Sequence, residues 1–424
     1  MLNYLVQKTI LNNMEKILIL GGKPIGSIEI VTRLKEMGLY TIVTDYLCVD
    51  QSPAKEIADE IWNISTADVD LLEIECRKNN VRYLSTGVHE FNINRMLELS
   101  ERLSIPCYCT PSTWKYCDDK ETFKTLCRQN NIPVATTFNL NDNNIDYPVI
   151  TKPVDGSGSR GFHICNNIEE LRLSYEDARS YSPTNRVLIE KFIPYNAVII
   201  HYTMISGKCY YSGMSDKKSV IFEHTGSSVM GIQTFPSVGE SVYLELYDKN
   251  VQRMFENAGF RNGPIWIESF YDGDDKFIFN EMGYRFGGSL TYYPVRYFYG
   301  INQLDLFLES SMGISSSLSA YRRNETNKNY CILPIHIKPG TIHEVQGFDT
   351  LKNIQDFYAI AQVHFVGDQI MNWGSAQQVF SYIHVLYDTF EDLNHTLNEI
   401  LETLRVCNEY GENMLYTLFD IDSL

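Results

Sequence analysis

The sequence predicts a protein of mixed class, with an α/β part at the start of the chain and α+β parts after it. Between residues 14 and 110, short apolar runs alternate with segments of helical spacing, which is typical of a doubly wound parallel sheet. From about residue 134 onwards, apolar runs are joined by turns rich in glycine and aspartate, which indicates hairpins. The last stretch, 331–424, contains apolar strands, turns and a helical segment from Thr389 to Arg405. A chain of this length is expected to form roughly two to four domains.

The elements of the first part follow in a regular order. Apolar runs predict three strands, and 3.6-residue spacing predicts three helices between them. The strands are Ile17–Leu20, Thr41–Thr44 and Arg82–Ser85, and the helices are Ser27–Met37, Val69–Lys78 and Asn92–Leu103. Further along, Asp118 and Asp119 precede Lys120 at the start of a helix to about Asn130, with an aspartate as the N-cap.

The segment Gly21–Gly26 follows the first strand, where a dinucleotide-binding loop would lie. Lys23 stands where the motif G-x-G-x-x-G has its middle glycine, and no lysine follows Gly26, so both this motif and a Walker A loop are absent. We therefore predict a tight strand-to-helix turn, which is a candidate lining of a substrate cleft.

Charge and composition exclude several function classes. The chain has 36 Lys and Arg against 53 Asp and Glu, a net charge of −17, and no long basic run. Nucleic-acid or anionic-membrane binding is therefore not expected as a main role. No segment offers about 18 uninterrupted apolar residues, so no membrane span is expected. Residues 1–13 lack the features of a secretory signal, and ten scattered cysteines show no disulfide framework, so we expect a cytoplasmic protein with a loose N-terminal extension.

A glycine-rich loop follows Lys152. The apolar run 147–150 leads into Thr151–Lys152–Pro153, and the loop 155–161 separates it from a second apolar run, 162–165. This pattern predicts a hairpin whose tip, rich in backbone N–H groups, closes over a polyphosphate while Lys152 supplies positive charge. Pro153 favours an extended conformation at Lys152. The alternative is an ordinary flexible surface hairpin.

Two glutamates flank a second hairpin. The apolar runs 265–270 and 276–281 are joined by an aspartate-rich turn, and a turn centred between Asp274 and Asp275 would set Glu268 opposite Glu281. Two carboxylates about 5 Å apart in a partly buried site repel each other unless a cation lies between them, and Mg²⁺ is the natural ion. The alternative is a register slip of one residue that sends one glutamate to solvent. Arg285 follows, where it can stabilise charge on a transferring phosphoryl group.

In this order, the motifs resemble those of the ATP-grasp superfamily of carboxylate–amine ligases. They are Asp119–Lys120, Thr151–Lys152–Pro153 with its glycine loop, the run 188–193, Glu268, and the run 281–288. The resemblance implies an N-terminal extension (1–13), a Rossmann-like pre-ATP-grasp domain (14–110), a two-lobed ATP-binding region (111–325, with a lid lobe at about 134–195) and a small C-terminal α+β lobe (331–424). The tail is most similar to that of amino-acid ligases.

The resemblance also implies roles for individual residues. Lys120 and Lys152 would contact the ATP phosphates, Arg285 would meet the γ-phosphate or an acyl phosphate, and Glu268 and Glu281 would hold Mg²⁺, with Mn²⁺ as a substitute. The other implied ATP-binding residues are Ser157 and Ser159 in the glycine loop, Glu190, Lys191, Phe192 and Ile193 at the adenine, and Asn196 at the ribose.

Two positions depart from the family pattern. Asn196 and Ala197 occupy the place of a ribose-binding glutamate, and Gly283 replaces the asparagine of Glu-x-Asn-x-Arg. The missing amide leaves open whether one or two metal ions bind.

The function implied is an ATP-dependent ligase that forms an amide or peptide-like bond through an acyl phosphate, with Lys152 and Arg285 as catalytic residues. Small-molecule carboxylate and amine substrates and a homodimer are expected, while nucleic-acid and membrane partners are not. The alternatives are a carboxylase or carbamoyl-type enzyme that uses bicarbonate and an ATP-binding protein without turnover.

Several further residues have no settled role at this stage. His89 is a candidate substrate contact, and Ser215–Gln233 is a second candidate lid. The aromatic run 292–299 belongs either to an acceptor pocket, where Arg296 would bind a substrate carboxylate, or to the core or a dimer surface.

Overall fold

The computed structural model describes residues 14–155, 161–222, 228–318, 323–371, 373, 376–416 and 419. The predicted N-terminal extension and the loop residues 156–160, with Ser157 and Ser159, lie outside the described residues. None of the described helices has both the length and the apolar character needed to cross a membrane.

The N-terminal part is a parallel four-stranded sheet in the order β3-β2-β1-β4. Its strands are β1 (Lys16–Leu20), β2 (Tyr40–Thr44), β3 (Glu60–Trp62) and β4 (Val81–Thr86). Its helices are α1 (Ser27–Glu36), α2 (Pro53–Ile57), α3 (Val69–Lys78) and α4 (Glu90–Leu103), with a 3-10 turn at Val49–Gln51. The doubly wound pattern is confirmed, but the short edge strand β3 was not predicted, because its three residues carry no apolar run.

Two helices lead from this sheet into the next part of the chain, α5 (Pro111–Asp118) and α6 (Lys120–Gln129). The predicted aspartate cap is confirmed, because the Asp119 carboxylate accepts a hydrogen bond from the Thr122 amide at 2.9 Å. Lys120 is therefore the first residue of α6. Its backbone amide donates a hydrogen bond to the carbonyl oxygen of Val154, just after the Lys152 strand.

A four-stranded sheet in the order β5-β8-β6-β7, hereafter the lid sheet, carries Lys152 on its strand β6, hereafter the lid strand. Its elements are β5 (Thr137–Phe138), β6 (Val149–Pro153), β7 (His163–Cys165), α7 (Ile168–Ser180) and β8 (Val187–Lys191). Val149 pairs with Cys165 in the predicted antiparallel hairpin, and Lys152 pairs with Leu188 on the other side. A small separate core of Val149, Cys165, Leu171 and Ile189 holds this lobe together.

An eight-stranded sheet in the order β13-β12-β9-β10-β11-β14-β19-β17 forms the centre of the molecule. Its strands are β9 (Asn196–Ile205), β10 (Lys208–Ile221), β11 (Ser228–Phe235), β12 (Gly263–Tyr271), β13 (Phe277–Gly283), β14 (Asn329–His336), β17 (Phe357–Gln362) and β19 (Val379–Tyr387). Helices α8 (Glu240–Leu246), α9 (Asp248–Asn257), α10 (Tyr292–Tyr299) and α11 (Gln303–Ser311) belong to this region. One apolar core contains residues of both this sheet and the N-terminal sheet, such as Ile17 and Ile267.

The last part of the chain adds three strands to this sheet and forms two further sheets of two strands each, β15-β18 and β16-β20. Strands β14, β19 and β17 join it through pairing of β11 with β14, where Gln233 lies opposite Ile332. The remaining elements are β15 (Gly340–Thr341), β16 (Glu344–Gln346), β18 (Gln369–Ile370), α12 (Phe390–Thr403), β20 (Arg405–Cys407) and 3-10 turns at Phe348–Asn353 and Ala376–Gln378. Residues 323–328, which precede β14, form neither helix nor strand.

Two expectations are corrected by these elements. Most of the second candidate lid, Ser215–Gln233, is strand β10 and strand β11 of the central sheet, and only 223–227 lies outside the described residues. The aromatic run 292–299 is the helix α10, and Tyr292, Val295, Phe298 and Tyr299 are buried in it, so the core alternative is correct for these side chains.

Candidate active site

The hairpin of β12 and β13 sets Glu268 directly opposite Glu281. The two glutamates lie opposite each other as predicted, but the centre of the turn differs from the prediction. Tyr271 pairs with Phe277, so the turn is centred on Asp274, and a bulge at Asn280 supplies the extra residue that brings Glu281 level with Glu268. Both side chains remain partly accessible, with exposed fractions of 15 % for Glu268 and 32 % for Glu281.

Two groups hold the Glu268 carboxylate in place. Lys217 Nζ, on β10, lies 2.6 Å from Glu268 Oε2, and Asn280 Nδ2 donates to Glu268 Oε1 at 2.9 Å. Burial alone would raise the pKa of Glu268, but the Lys217 charge and these two hydrogen bonds outweigh it, so the pKa is below its ordinary value. Glu268 is therefore ionised and ready to bind a cation.

Lys152 reaches the same place from the lid sheet. Its Nζ donates to Asn280 Oδ1 at 2.7 Å and lies 2.8 Å from Glu190 Oε2. Burial would lower the pKa of Lys152, but the charge and hydrogen bond of Glu190 raise it above the ordinary value. Asn280 thus connects Lys152 to Glu268, and the lid strand β6 is joined to the carboxylate hairpin through one amide.

Glu190 lies between two lysines. Lys124 Nζ, from α6, donates to Glu190 Oε1, and the side chains of both residues are only 1 % exposed. Burial would raise the pKa of Glu190, but Lys152 and Lys124 lower it below its ordinary value. The carboxylate predicted at the adenine is therefore fully engaged with protein cations.

Lys120 contacts one member of the carboxylate pair, whereas Arg285 contacts groups beside the hairpin. Lys120 Nζ is 3.6 Å from Glu281 Oε2. Arg285 Nη2 donates to Glu90 Oε1 at 2.7 Å, and Nη1 donates to Phe286 O at 2.9 Å. Its guanidinium lies 5.3 Å from the ring centroid of Trp266. Arg285 is thus held by α4 of the N-terminal part, beside the hairpin.

Trp266 occupies the space next to the carboxylates. Trp266 and Glu268 share one face of β12, and Trp266 pairs with Gly283 on β13. A Cβ atom on Gly283 would lie 2.3 Å from Trp266 Cε2, a distance that no side chain tolerates. The indole therefore excludes an asparagine at position 283.

The other residues predicted at the nucleotide lie along the end of β8. Lys191 Nζ donates to the carbonyls of Asp146 and Tyr147 at 3.1 and 3.0 Å, and the Phe192 amide donates to Pro148 O at 3.1 Å. Ile193 is half-buried, and Asn196 is exposed at the start of β9. These residues border the lid sheet and do not contact the carboxylate pair.

His89 lies next to the Arg285–Glu90 ion pair. Burial, together with the Arg285 charge, lowers the pKa of His89 although Glu90 opposes the shift. A neutral imidazole beside the site is consistent with a substrate contact, and that role stays a prediction.

Four residues of the site were not found from the sequence: Lys124, Lys217, Trp266 and Asn280. Two of them had a signal. Lys124 is four residues after Lys120 and so shares its helix face, and Trp266 is two residues before Glu268 and so shares its strand face. Lys217 and Asn280 had none, because strand pairing and a bulge bring them to the carboxylates.

The donor set suits a hard divalent cation. Glu268 and Glu281 present carboxylate oxygens on one face, and Asn280 adds an amide oxygen nearby. Mg²⁺ takes one or two protein carboxylates and fills its octahedron with water and phosphate oxygens. Among the described residues, no group of three or more His, Cys, Asp and Glu is arranged to hold a metal ion. The pair therefore fits an ion shared with a phosphate ligand.

Comparisons with known proteins point to the same kind of site. A family model, the ATP-binding domain of the carbamoyl-phosphate synthase L chain, matches residues 119–204, which run from α6 to β9. The formate-dependent phosphoribosylglycinamide formyltransferases of Wolinella succinogenes and Prochlorococcus marinus are 24 % and 25 % identical over 210 and 193 residues. These alignments cover 46 % and 43 % of this chain, and the chain spans about half of each relative, 52 % and 48 %.

Solved structures match over almost the whole chain. The L-amino acid ligase of Bacillus licheniformis has a TM-score of 0.73 at 18 % identity, covering 93 % of this chain and 99 % of that one. The phosphoribosylglycinamide synthetase of Anaerococcus prevotii has a TM-score of 0.73 at 17 % identity, covering 94 % and 100 %. The biotin carboxylase domain of 2-oxoglutarate carboxylase from Hydrogenobacter thermophilus, solved with MgADP and bicarbonate, has a TM-score of 0.75 at 17 % identity, covering 95 % and 91 %.

These similarities agree with the site and the topology. The nucleotide-binding model covers the segment that carries Lys120, Lys152 and Glu190, and the structural matches extend to the N-terminal and C-terminal parts. The expected ATP-grasp fold is confirmed by these structural matches, which extend over almost the whole chain.

Proposed function

We propose that this protein is an ATP-dependent ligase that joins a small carboxylic acid to an amine through an acyl phosphate and releases ADP and phosphate. The observation that carries the proposal is the opposed pair Glu268 and Glu281, surrounded by the cations Lys120, Lys152 and Lys217. Alternating cations and carboxylates at one cleft suit a polyphosphate with a divalent ion.

The chemistry requires activation of the acid. A free carboxylate is a poor electrophile, because its leaving group would be oxide. Transfer of the γ-phosphoryl group to a carboxylate oxygen forms an acyl phosphate, and attack of the amine on the carbonyl carbon then expels phosphate. The protein's contribution is alignment, charge neutralisation and exclusion of water.

Each residue has a separate part in this proposal. Glu268 and Glu281 would hold Mg²⁺, which supplies neutralisation of charge on the phosphate oxygens. Lys120 and Lys152 bind the phosphates, and Arg285, adjacent to the pair, stabilises charge on the transferring group. The adenosine end lies along 190–196, with the backbone of Glu190, Lys191, Phe192 and Ile193 at the base and Asn196 at the ribose, since the Glu190 carboxylate is engaged with Lys124 and Lys152. Mn²⁺ has the same ligand preference and is expected to substitute.

The test is a panel assay of phosphate release with MgATP, small carboxylic acids and amines, with mass spectrometry of the products. Once a pair is found, the acid is labelled with ¹⁸O in its carboxylate. Transfer of one ¹⁸O atom to the released phosphate is expected, because the acyl phosphate oxygen leaves with phosphate.

Other outcomes would favour the alternatives. Phosphate release that depends on bicarbonate would indicate a carboxylase or carbamoyl-type enzyme. Tight ATP binding without ADP formation across the panel would indicate a binding protein, as the unusual residues Asn196 and Gly283 would allow. Either outcome contradicts the proposed ligase.

Assembly and location extend the proposal. The similar biotin carboxylase structure is a dimer of that domain, and we propose a homodimer here, to be tested by light scattering. The ten cysteines are free thiols, which agrees with the expected cytoplasmic location, and fractionation of cells would test it. The domain boundaries given above stay proposals, with limited proteolysis as their test.

A further inference from the structure

A buried cluster of three charges lies where α6 meets the lid sheet. Its members are Lys124 from α6, Lys152 from β6 and Glu190 from β8, hereafter the Lys–Glu–Lys cluster. Their side chains are 1 %, 9 % and 1 % exposed. Each lysine contacts a different oxygen of the carboxylate, Lys124 at Oε1 and Lys152 at Oε2, so one acid has two lysine partners.

The two lysines differ in what else they contact. Lys152 also donates to Asn280 Oδ1, which in turn bonds Glu268, so it borders the proposed phosphate and metal site. Lys124 lies deeper, with only 1 % of its side chain exposed, and its Nζ donates to the equally buried Glu190 carboxylate. Only Lys152 is therefore placed to exchange Glu190 for a phosphate.

That exchange has a cost unless a second cation stays behind. A carboxylate left unpaired in the protein interior is strongly destabilised, because burial removes its hydration and no counter-charge replaces it. Without Lys124, Glu190 would hold Lys152 back and compete with the phosphate for it. With Lys124 in place, Glu190 keeps one partner after Lys152 has moved.

We propose that Lys124 is a positioning residue that keeps Glu190 ionised and in place, and so releases Lys152 to bind the ATP phosphates. The inference rests on the proposed function, since it takes Lys152 as a phosphate ligand. It adds a requirement that the proposed function does not contain, namely a second lysine that never touches ATP.

The lowered pKa of Lys124 agrees with the different roles proposed for the two lysines. Burial and the nearby Lys152 charge lower the pKa of Lys124 to about 7, against the opposing effect of Glu190 and of Glu281 from β13. On its own helix, the titratable groups within one turn of Lys124 are Lys120, Glu121, Cys127 and Arg128, and burial raises the pKa of Cys127. When Lys152 turns to a phosphate, its repulsion of Lys124 weakens, and the polyphosphate adds negative charge. Lys124 is then expected to take up a proton.

The main test measures MgATP binding by calorimetry to the full-length protein. Lys124→Met should weaken binding by about 10-fold or more, because Glu190 then retains Lys152, and by the affinity scale tenfold corresponds to about 1.4 kcal/mol. Lys124→Arg keeps the charge and should retain most of the affinity. Lys124→Met/Glu190→Gln removes the competing carboxylate and should bind more tightly than Lys124→Met alone. Lys78→Met, on the surface of α3 with 68 % exposure, is the matched control.

A second readout separates this role from a merely structural one. Binding enthalpies of MgATP at pH 8 in buffers of different ionisation enthalpy give the protons taken up on binding. Uptake approaching one proton is expected for the wild type, and clearly less for Lys124→Met. This measurement uses the same folded samples, whose thermal unfolding is checked first, and if Lys124→Met does not fold, Lys124→Arg and the double variant carry the comparison.

The outcomes distinguish this inference from the proposed function. Lys152→Met is measured beside the other variants. If Lys152→Met leaves MgATP binding unchanged, the nucleotide role of Lys152 is wrong and the proposed function loses its site. If Lys152→Met weakens binding while Lys124→Met binds ATP and takes up protons like the wild type, only the role of Lys124 is overturned. Equal affinities of Lys124→Met and the double variant would also overturn it.

Discussion

At the scale of single residues, three carboxylates of the site each have a lysine beside them. Glu190 contacts Lys124 and Lys152, Glu268 contacts Lys217, and Glu281 lies 3.6 Å from Lys120. A polyphosphate with a divalent ion could exchange these partners, the lysines turning to phosphate and the two hairpin glutamates to the metal. The exchange costs little, because no buried charge is left without a counter-charge at either stage.

The first prediction concerns Glu281. Glu281→Gln keeps the size of the side chain and removes the charge that would hold Mg²⁺, so Mg²⁺-dependent turnover should fall by more than about 100-fold, beyond the loss typical of residues around a metal ligand. The free energy of unfolding should change by less than about 1 kcal/mol, because the side chain is one-third exposed. Phosphate release across a Mg²⁺ titration and thermal unfolding measure the two quantities.

Glu36→Gln, at an exposed position on α1, is the control and should retain full activity. Normal turnover in Glu281→Gln would mean that the metal binds elsewhere.

At the scale of elements, the hairpin of β12 and β13 builds the site through an irregularity. A regular hairpin around Asp274 would set Glu268 opposite Asn280, and Glu281 would face away from it. The bulge adds one residue, so Glu281 lies opposite Glu268 while Asn280 still reaches Glu268 and Lys152. A single extra residue thus gathers three oxygen-bearing side chains in one place.

The same hairpin explains the departure at position 283. The Trp266 indole packs against the backbone of Gly283. A larger residue at position 283 is therefore expected to require a smaller one at position 266. Gly283→Asn should cost about 1–3 kcal/mol of unfolding free energy, as overpacked sites do, and clearly less in the Trp266→Val background. Denaturant unfolding of the four proteins of this cycle measures the coupling.

The variant Gly283→Asn/Trp266→Val also tests whether the missing amide at position 283 limits metal binding. An asparagine with room to fit would add an amide oxygen near Glu281, and the double variant should require less Mg²⁺ for half-maximal ATP binding than Trp266→Val alone. If Gly283→Asn costs the same in both backgrounds, Trp266 is not what excludes the amide.

At the scale of the whole molecule, ion pairs join the N-terminal part to distant segments. Arg285 contacts Glu90 across 195 residues, and Lys23 Nζ lies 2.5 Å from Asp368 Oδ1 across 345 residues. The turn Gly21–Gly26 therefore touches the last part of the chain, next to His364, whose Nδ1 lies 3.1 Å from Asp368 Oδ2. That the turn lines a substrate cleft stays a prediction.

The Lys23–Asp368 contact predicts a pH dependence of stability. Burial would raise the pKa of Asp368, but hydrogen bonds with His364 and Lys23 outweigh it and hold the pKa at about 2. A carboxyl whose pKa is lowered by folding stabilises the protein above its unfolded pKa, and loses this contribution as pH falls through the folded pKa. Asp368→Asn should therefore reduce the unfolding free energy by about 2 kcal/mol at pH 7, and the difference should shrink between about pH 4 and pH 2.

Denaturant unfolding across this pH range provides the measurement. Asp70→Asn is the control, because the Asp70 side chain is 86 % exposed and its ion pair should add little. A pH-independent difference for Asp368→Asn would show that its effect comes from lost packing instead of its charge.

Particular elements show how far the sequence could lead. Val69–Lys78 was predicted to the residue from its apolar spacing, and the structure adds an N-cap at Asp68 and the basic residues Arg77 and Lys78 in the last turn. The short strand β3 was missed, since three residues are too few to show an apolar run or an alternation. Lys217 was assigned to a mobile segment, because a run rich in glycine, serine and lysine has the composition of a loop although its pairing with β9 makes it a strand.

The sequence by itself determined the order of the elements, the paired glutamates and the lysine before the glycine loop, because local periodicity and turn chemistry are written in neighbouring residues. Only the tertiary structure decided the partners of those charges. Lys124, Lys217 and Asn280 are far along the chain from most of the groups they contact, and strand pairing, a one-residue bulge and the packing of α6 on the lid sheet bring them together. The electrostatics of a buried carboxylate depend on which cation lies within a few ångströms, and that distance is a property of the folded chain alone.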